Sequence, residues 1–465
     1  MQEQHFSLRA ALVGCLLGSI ICASNMYFGF KVGWSFGATI FAAIFGYPVM
    51  KWVARITNGP KFNIFEHATL SSAATAAGGL TSAGFVNGLP AMYQMGIFDH
   101  TKVKDDFWRI TLWGTTTAFF GIFFTMPLRK WFVIKQAHLP YPTPTAAASC
   151  IKSFHLDGDT ESGARQFRML VITAAFGFIW IVLGYFAPYM RDLPVNLWLG
   201  WATESWGAGI SETFLWLNET KFVLTFSWAF FGAGMMMGPS TSAWFFFGQI
   251  FFWSVVGKIL TNEGIVFAVT GLKNLDQPSI QLWLLWPGIT AMIISSFADL
   301  AMEIPTIIKS VFSKNEKDKQ VFDDPAPPEH QVPTLWWMGG GIVATVYSSI
   351  VLKYYFYVGY GESLLAIFLG FIMAFIGVQA SAVTDINPVG TVAKVSQFAF
   401  SAIPQESKLI TQSTSITAAM VTAGSAAHAS DLIGDLRVGH LVFITHLGWC
   451  KSKISISRSI LWISI

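Results

Sequence analysis

Apolar runs recur along the chain at lengths that suit a bilayer, where about 20 consecutive apolar residues make one crossing. They fall near Leu8–Met26, Trp34–Trp52, Ile110–Leu128, Leu170–Met190, Phe222–Met237, Ala243–Leu260, Leu282–Ala301, Leu335–Leu352 and Leu364–Val383. Two stretches between them are built differently. In Ala68–Gly84 fifteen of seventeen residues are Ala, Gly, Ser or Thr, and in Thr411–Asp431 fifteen of twenty-one are. Small side chains leave the backbone thinly covered, so such segments belong against protein or a wet cavity and not against lipid. The pattern predicts an all-α, polytopic membrane protein of roughly 10–11 transmembrane or re-entrant segments.

Four places interrupt the helical pattern. Ser24–Gly29 places an amide and a glycine inside an apolar run, Leu139–Pro144 carries prolines at alternate positions, Thr384–Gly390 contains Asp-Ile-Asn-Pro, and the second small-residue run closes on His428-Ala429-Ser430-Asp431. The prolines predict extended chain over Leu139–Pro144. Broken helices expose backbone groups that a membrane tolerates only beside protein, water or a ligand, and paired breaks in two halves point to a midplane site. Asn25 and Glu66 are forty-one residues apart and Asp385 and Gln412 twenty-seven, so the echo between halves is inexact.

The segment Ile308–Pro333 is rich in Lys, Asp, Glu and Pro and reads as an extramembrane loop. It divides the chain into a first membrane unit at 1–307, the loop at 308–333 and a partial second unit at 334–445, followed by a tail at 446–465. The architecture expected is therefore two units with the second incomplete. Composition agrees with the class: 12% charged residues, 53% hydrophobic, nineteen Trp and forty-two Phe, against roughly 25% charged in a soluble domain. A net charge of +3 without a long basic run is too small to argue for nucleic acid, and no nucleic-acid partner is expected. The four cysteines have no metal or disulfide spacing. The first apolar run follows no basic leader and is too long for a signal-peptide core, so it reads as a first spanning helix.

Five phrases in order, SNMYFGFKVGWSFGATIF, FEHATLSSAATAAGG, LPYPTPTAAASCIKSFH, TDINPVGTVAKVSQ and AAHASDLIGDLRVGHLV, resemble the oligopeptide transporter superfamily over about residues 8 to 443. YPTPTAAA and ASDLIGDLRVGH are nearer its yellow-stripe-like and prokaryotic-type branch. The resemblance implies a proton-coupled importer with two related halves, carrying small oligopeptides or peptide-like metal chelates. It also implies further helices after the second small-residue run, where HLGWCKSKISISRSILWISI departs from the family. The expectation is a C-terminally truncated chain, and a non-transporting fragment is an alternative to a working carrier.

Candidate chemistry gathers at the interruptions. Asn25, Tyr27, Thr143 and Asn387 are the candidates for substrate hydrogen bonds; the competing role is helix-to-helix bonding worth roughly 0.6 kcal/mol each. Glu66, His67, Asp385, His428 and Asp431 are the candidates for proton coupling. A carboxylate at the bilayer centre costs at least ~2.5 kcal/mol, so its presence there suggests a proton or substrate role, unless it stands at a helix end. Glu66 and His67 are adjacent and point about 100° apart on a helix, so they do not share one partner. An imidazole titrates near pH 6.5, which suits His428 to proton traffic. Asp435 and Arg437 read as a solvated helix end. The rival classes are an intramembrane enzyme and a channel. Gly434-Asp435 resembles one half of an intramembrane aspartyl site but lacks its Tyr-Asp partner, and HExxH and GxSxG are absent. No catalytic residue, metal ligand or cofactor is expected. The partners expected are the substrate, protons and the lipid bilayer, in the plasma membrane sooner than in a vacuolar or other internal one.

Overall fold

The computed structural model describes residues 7–32, 35–82, 84–86, 88–99, 104, 106–136, 138–155, 160–204, 208–220, 222, 224–267, 279–312, 331–403 and 407–447. Residues 313–330 of the charged loop and the tail beyond 447 lie outside them. In chain order the helices are α1 (Leu8–Val32), α2 (Thr39–Ile56), α3 (Ile64–Gly78, closing in a 3-10 turn at Gly79–Ser82), α4 (Gly88–Gln94), α5 (Phe107–Arg129, continued by a π turn at Lys130–Lys135), α6 (Pro142–His155) and α7 (Thr160–Phe186). Then come α8 (Pro188–Arg191), α9 (Val195–Ala202), α10 (Ala208–Glu219), α11 (Trp228–Met237), α12 (Pro239–Ile250, with a π turn at Phe251–Val256), α13 (Gly257–Asn262) and α14 (Ile280–Phe312). The last four are α15 (Thr334–Phe356), α16 (Tyr360–Thr384), α17 (Val389–Ser401) and α18 (Lys408–Leu447). Among the described residues, strand pairing is confined to the two-residue ladder of Asp192–Leu193 with Leu224–Thr225 and a bridge between Phe267 and Ser279.

Six described helical segments are long and apolar enough to cross a membrane: Leu8–Phe30, Phe107–Lys135, Phe167–Phe186, Pro239–Asn262, Thr334–Phe356 and Tyr360–Thr384. Trp228–Met237 and Ile280–Ser295 are apolar but shorter. α3, at 15 residues, is too short for that set, and in α18 Ala, Gly, Ser and Thr dilute the hydropathy. By packing, the chain divides into one unit of residues 1–164 and 296–465 and another of 165–295. The boundaries 1–307, 308–333, 334–445 and 446–465 are divisions of chain order, and the packing cuts across them.

In the first unit α18 is the axis, packed against α3, α5, α6, α16 and α17, while α1 lies along α3. Small residues set these approaches. A methyl added at Gly18 of α1 would stand 2.5 Å from the Ala74 carbonyl, and one at Gly121 of α5 would stand 2.3 Å from Cβ of His428 and 3.0 Å from the Ala429 amide. Van der Waals contact between backbones is what holds membrane helices together, since lipid offers no hydrophobic incentive to associate. Residues 413–430 of α18 are all buried.

Three expected interruptions are absent or shorter. α1 runs through Ser24–Gly29 without a break: the Asn25 amide donates to the Phe36 carbonyl at 2.7 Å and accepts from the Phe36 amide at 3.1 Å, so its polarity ties the α1–α2 connection. α18 runs unbroken through 428–431, since a run of Ser, Thr and Ala is compatible with helix when neighbours bury it. Pro142 and Pro144 are not extended but form the first turn of α6, where the missing N–H groups would have had no intrahelical acceptor. The break at Asp385 is present: α16 ends there in the left-handed region at φ 63°.

The second unit, taken by itself, is outwardly aromatic. Trp244, Phe245, Phe246 and Phe247 of α12 are all exposed, and a small core of Trp216, Leu217, Leu260, Val266 and Ile280 holds α10 and α13 to the start of α14.

Candidate functional site

The site is built on residues 427–437 of α18, where the two small-residue runs meet. At the end of α3, a methyl on Gly79 would lie 2.7 Å from Oδ2 of Asp431 and 3.8 Å from Nδ1 of His428. Glycine there lets an acid and an imidazole, three residues apart on α18, approach the same stretch of backbone. Asp431 has no hydrogen-bond or ion-pair partner among the described residues, and Nε2 of His428 is buried without one. One turn on, Asp435 is buried within hydrogen-bonding reach of the Ser72 and Thr75 hydroxyls of α3.

Asp435 and Arg437 are therefore not a solvated helix end. Arg437 is buried as well; its Nη1 donates to the Val133 carbonyl at 3.1 Å and its guanidinium lies 5.6 Å from the Tyr141 ring centre. The two residues turn to different neighbours because they are two apart on the helix.

The other face of the same segment meets the α16–α17 break. The Asn387 amide nitrogen lies 3.5 Å from the Ala427 carbonyl, while its Oδ1 and the Ser430 hydroxyl are buried without partners. A methyl on Gly377 would be 3.5 Å from the first oxygen and 3.4 Å from the second, so both face one small polar recess.

Asp385 is committed to a neighbour. Its carboxylate accepts the Thr143 amide at 3.0 Å and the Thr143 hydroxyl at 2.7 Å. With proline on either side, Thr143 supplies the free N–H in that stretch of the first turn of α6, and Asp385 caps it from across the fold. The Tyr141 amide donates to the Ala382 carbonyl at 2.9 Å beside it. Glu66 is likewise held. It is the third residue of α3, reciprocates Asn63 in a capping box, and receives Nε and Nη2 of Arg9 at 3.1 and 3.0 Å.

His67, fully buried, bonds in the opposite direction from Glu66, as the 100° offset requires. Nε2 is 2.8 Å from the Ala43 carbonyl, which accepts only, so that nitrogen carries the proton. Nδ1 then accepts from Nε2 of His155 at 3.1 Å. The pair sits among Tyr47, Phe62 and Phe154. Tyr27 is 70% exposed on α1, away from the α18 cluster. Of the nine candidates, His428, Asp431 and Asn387 share the α18 segment, Thr143 and Asp385 clamp the break beside it, Glu66 and His67 mark the start of α3, Asn25 holds a loop, and Tyr27 faces outward.

Several residues carry no signal in the sequence. Arg9, Ser72, His155 and Ser430 acquire their neighbours only through folding, and each looks like an ordinary residue of its own helix. Asp435 carried a faint one: it repeats Asp431 at four residues, which is one helical face.

This architecture defines an integral, multi-pass, all-helical membrane protein whose polar groups are gathered inside. The chain belongs to the oligopeptide transporter family: the description "OPT oligopeptide transporter protein" matches residues 5–447. It is 22% identical to the "Putative oligopeptide transporter YGL114W" of Saccharomyces cerevisiae over 94% of this chain and 74% of that protein. A "Putative oligopeptide transporter" of Haemophilus influenzae is 35% identical over 29% of this chain and 19% of its own length. The "Metal-nicotianamine transporter YSL3" of Arabidopsis thaliana is 26% identical over 70% of this chain and 48% of its own length. The chain thus spans about three quarters of the yeast protein and about half of the plant one. The family is one of transporters and not of enzymes.

Proposed function

We propose that the protein is a secondary active importer of small oligopeptides or peptide-like metal chelates, coupled to protons and working in the plasma membrane. The observation that carries this reading is the meeting of Asp431 and His428, both with uncommitted polar atoms, against Gly79 where the two small-residue runs join. Four of the five coupling candidates thereby separate by role. Glu66 and Asp385 are clamps with their oxygens engaged, whereas Asp431 and His428 are left to exchange protons. His67 passes its proton geometry to His155 and holds α2, α3 and α6 in register.

In this mechanism the α16–α17 break with Asn387 and Ser430 takes polar groups of the cargo, and protonation of Asp431 changes the charge facing α3 one turn from Asp435. A buried charge is costly, so neutralising it favours closer packing of α18 on α3, and losing the proton reverses that. The test is uptake into proteoliposomes of a labelled tetrapeptide and of an iron–nicotianamine chelate, with and without an inward proton gradient. Uptake that collapses with the gradient in wild type, and becomes insensitive to it in Asp431→Asn, supports coupling at Asp431. Uptake unaffected by an uncoupler overturns the proton claim, and downhill flux only, for both probes, favours a channel.

A further inference from the structure

We propose that the groove along the first half of α5 is a resident site for one anionic phospholipid of the bilayer, with an acyl chain along the helix and the phosphate on Lys104. The cavity there has a volume of about 650 Å³ and is walled by Leu80, Phe85 and successive turns of α5 from Phe107 to Phe119. Twelve residues of helix rise about 18 Å, close to one leaflet of a hydrocarbon core about 30 Å thick. The wall presents hydrocarbon even where the sequence is polar. Thr111 turns its hydroxyl back to the Phe107 carbonyl at 2.8 Å, and Thr115 donates to the Leu112 carbonyl at 2.7 Å with Tyr347 Oη 2.8 Å away, so their methyls line the groove.

The charge stands at one end. Asp106 pairs with Arg109 at 3.0 Å and accepts the Tyr93 hydroxyl at 2.8 Å, and Arg109 also covers the Phe98 ring at 4.7 Å. Lys104 is exposed and has no such partner among the described residues. It precedes the crossing segment that begins at Phe107, and Trp108 beside it is exposed, as aromatic residues are at the headgroup level. An oily slot one leaflet long with the uncommitted ammonium of Lys104 at its headgroup end is complementary to a phospholipid of net negative charge. A neutral-headgroup lipid would fill the slot but carry no net charge to meet the ammonium.

The experiment uses the full chain purified in detergent, washed, and equilibrated with mixed phosphatidylglycerol and phosphatidylcholine before bound lipid is quantified by mass spectrometry. One phosphatidylglycerol per chain is expected, retained in preference to phosphatidylcholine. Lys104→Gln should lower that preference about fivefold, the worth of one lysine near a membrane surface, and Lys104→Arg should keep it. Ala118→Phe, which blocks the slot, should remove the retained lipid without altering the charge. Equal retention of the two lipids, indifference to Lys104→Gln, or a free fatty acid as the retained species would overturn the proposal. So would hydrogen exchange that finds the groove covered by protein with no lipid bound. Uptake plays no part in these readouts, so they stand or fall separately from the transport reading.

Discussion

α18 and α12 invert the rule that governs water-soluble proteins. Residues 413–430 of α18, rich in Ser, Thr, Ala and Gly, are buried throughout, whereas the Trp-Phe-Phe-Phe of α12 is exposed. In water the aromatic helix would form the core. In lipid both faces of an aromatic helix are equally at home, and the interior goes to side chains that let backbones touch and hydroxyls bond. What sorts the helices of this chain between interior and surface is therefore side-chain size and hydrogen-bonding need more than hydropathy.

The largest effect should come from adding bulk where helix backbones touch, at Gly121 of α5 against α18 and at Gly18 of α1 against α3. Gly121→Leu and Gly18→Leu are expected to cost up to ~3 kcal/mol, because the backbone of the facing helix stands within 3.0 Å of the added carbon; Gly232→Leu in α11, with open space around it, should be silent. Yield and thermal unfolding in nanodiscs measure this, and equal loss at all three positions would break the contrast. Next is Asp385→Ala, which strands the Thr143 amide and hydroxyl and should cost ~2–3 kcal/mol in the same assay; Thr143→Val should cost less, since the backbone bond survives. Glu66→Gln should cost ~1–2 kcal/mol by weakening the Arg9 pair and the capping box together, and a double-mutant cycle with Arg9→Gln should show non-additivity. Smallest is Phe247→Ala, exposed on α12, expected within ~0.5 kcal/mol of wild type.

The class of the fold was legible because composition and run length are local properties, and the two small-residue runs announced themselves as interior. The interruptions were less legible. Asn25 looked like a helix breaker because an amide in an apolar run has no evident partner, yet Phe36, eleven residues away, supplies both of its bonds. The prolines of α6 looked extended because the first turn of a helix, where they are harmless, cannot be located until its cap is known. That cap is Asp385, 242 residues along the chain. Each half of the Thr143–Asp385 clamp drew notice for its own reasons, and nothing in the sequence joins them. The same holds for His67 and His155, 88 residues apart. What the sequence conceals is which polar groups are already satisfied, and that decides which remain open for chemistry.

α18 has forty residues in one helix, about 60 Å from end to end, twice the thickness of a bilayer's hydrocarbon core. A rod of that length gripped near its middle is a lever. Turning it by about 10° around the Gly121 contact would carry either tip some 5 Å, by the geometry of a half-length near 30 Å. A shift of a fraction of an ångström where Asp431 meets Gly79 is therefore enough to be felt as a full side-chain width at the ends of the rod.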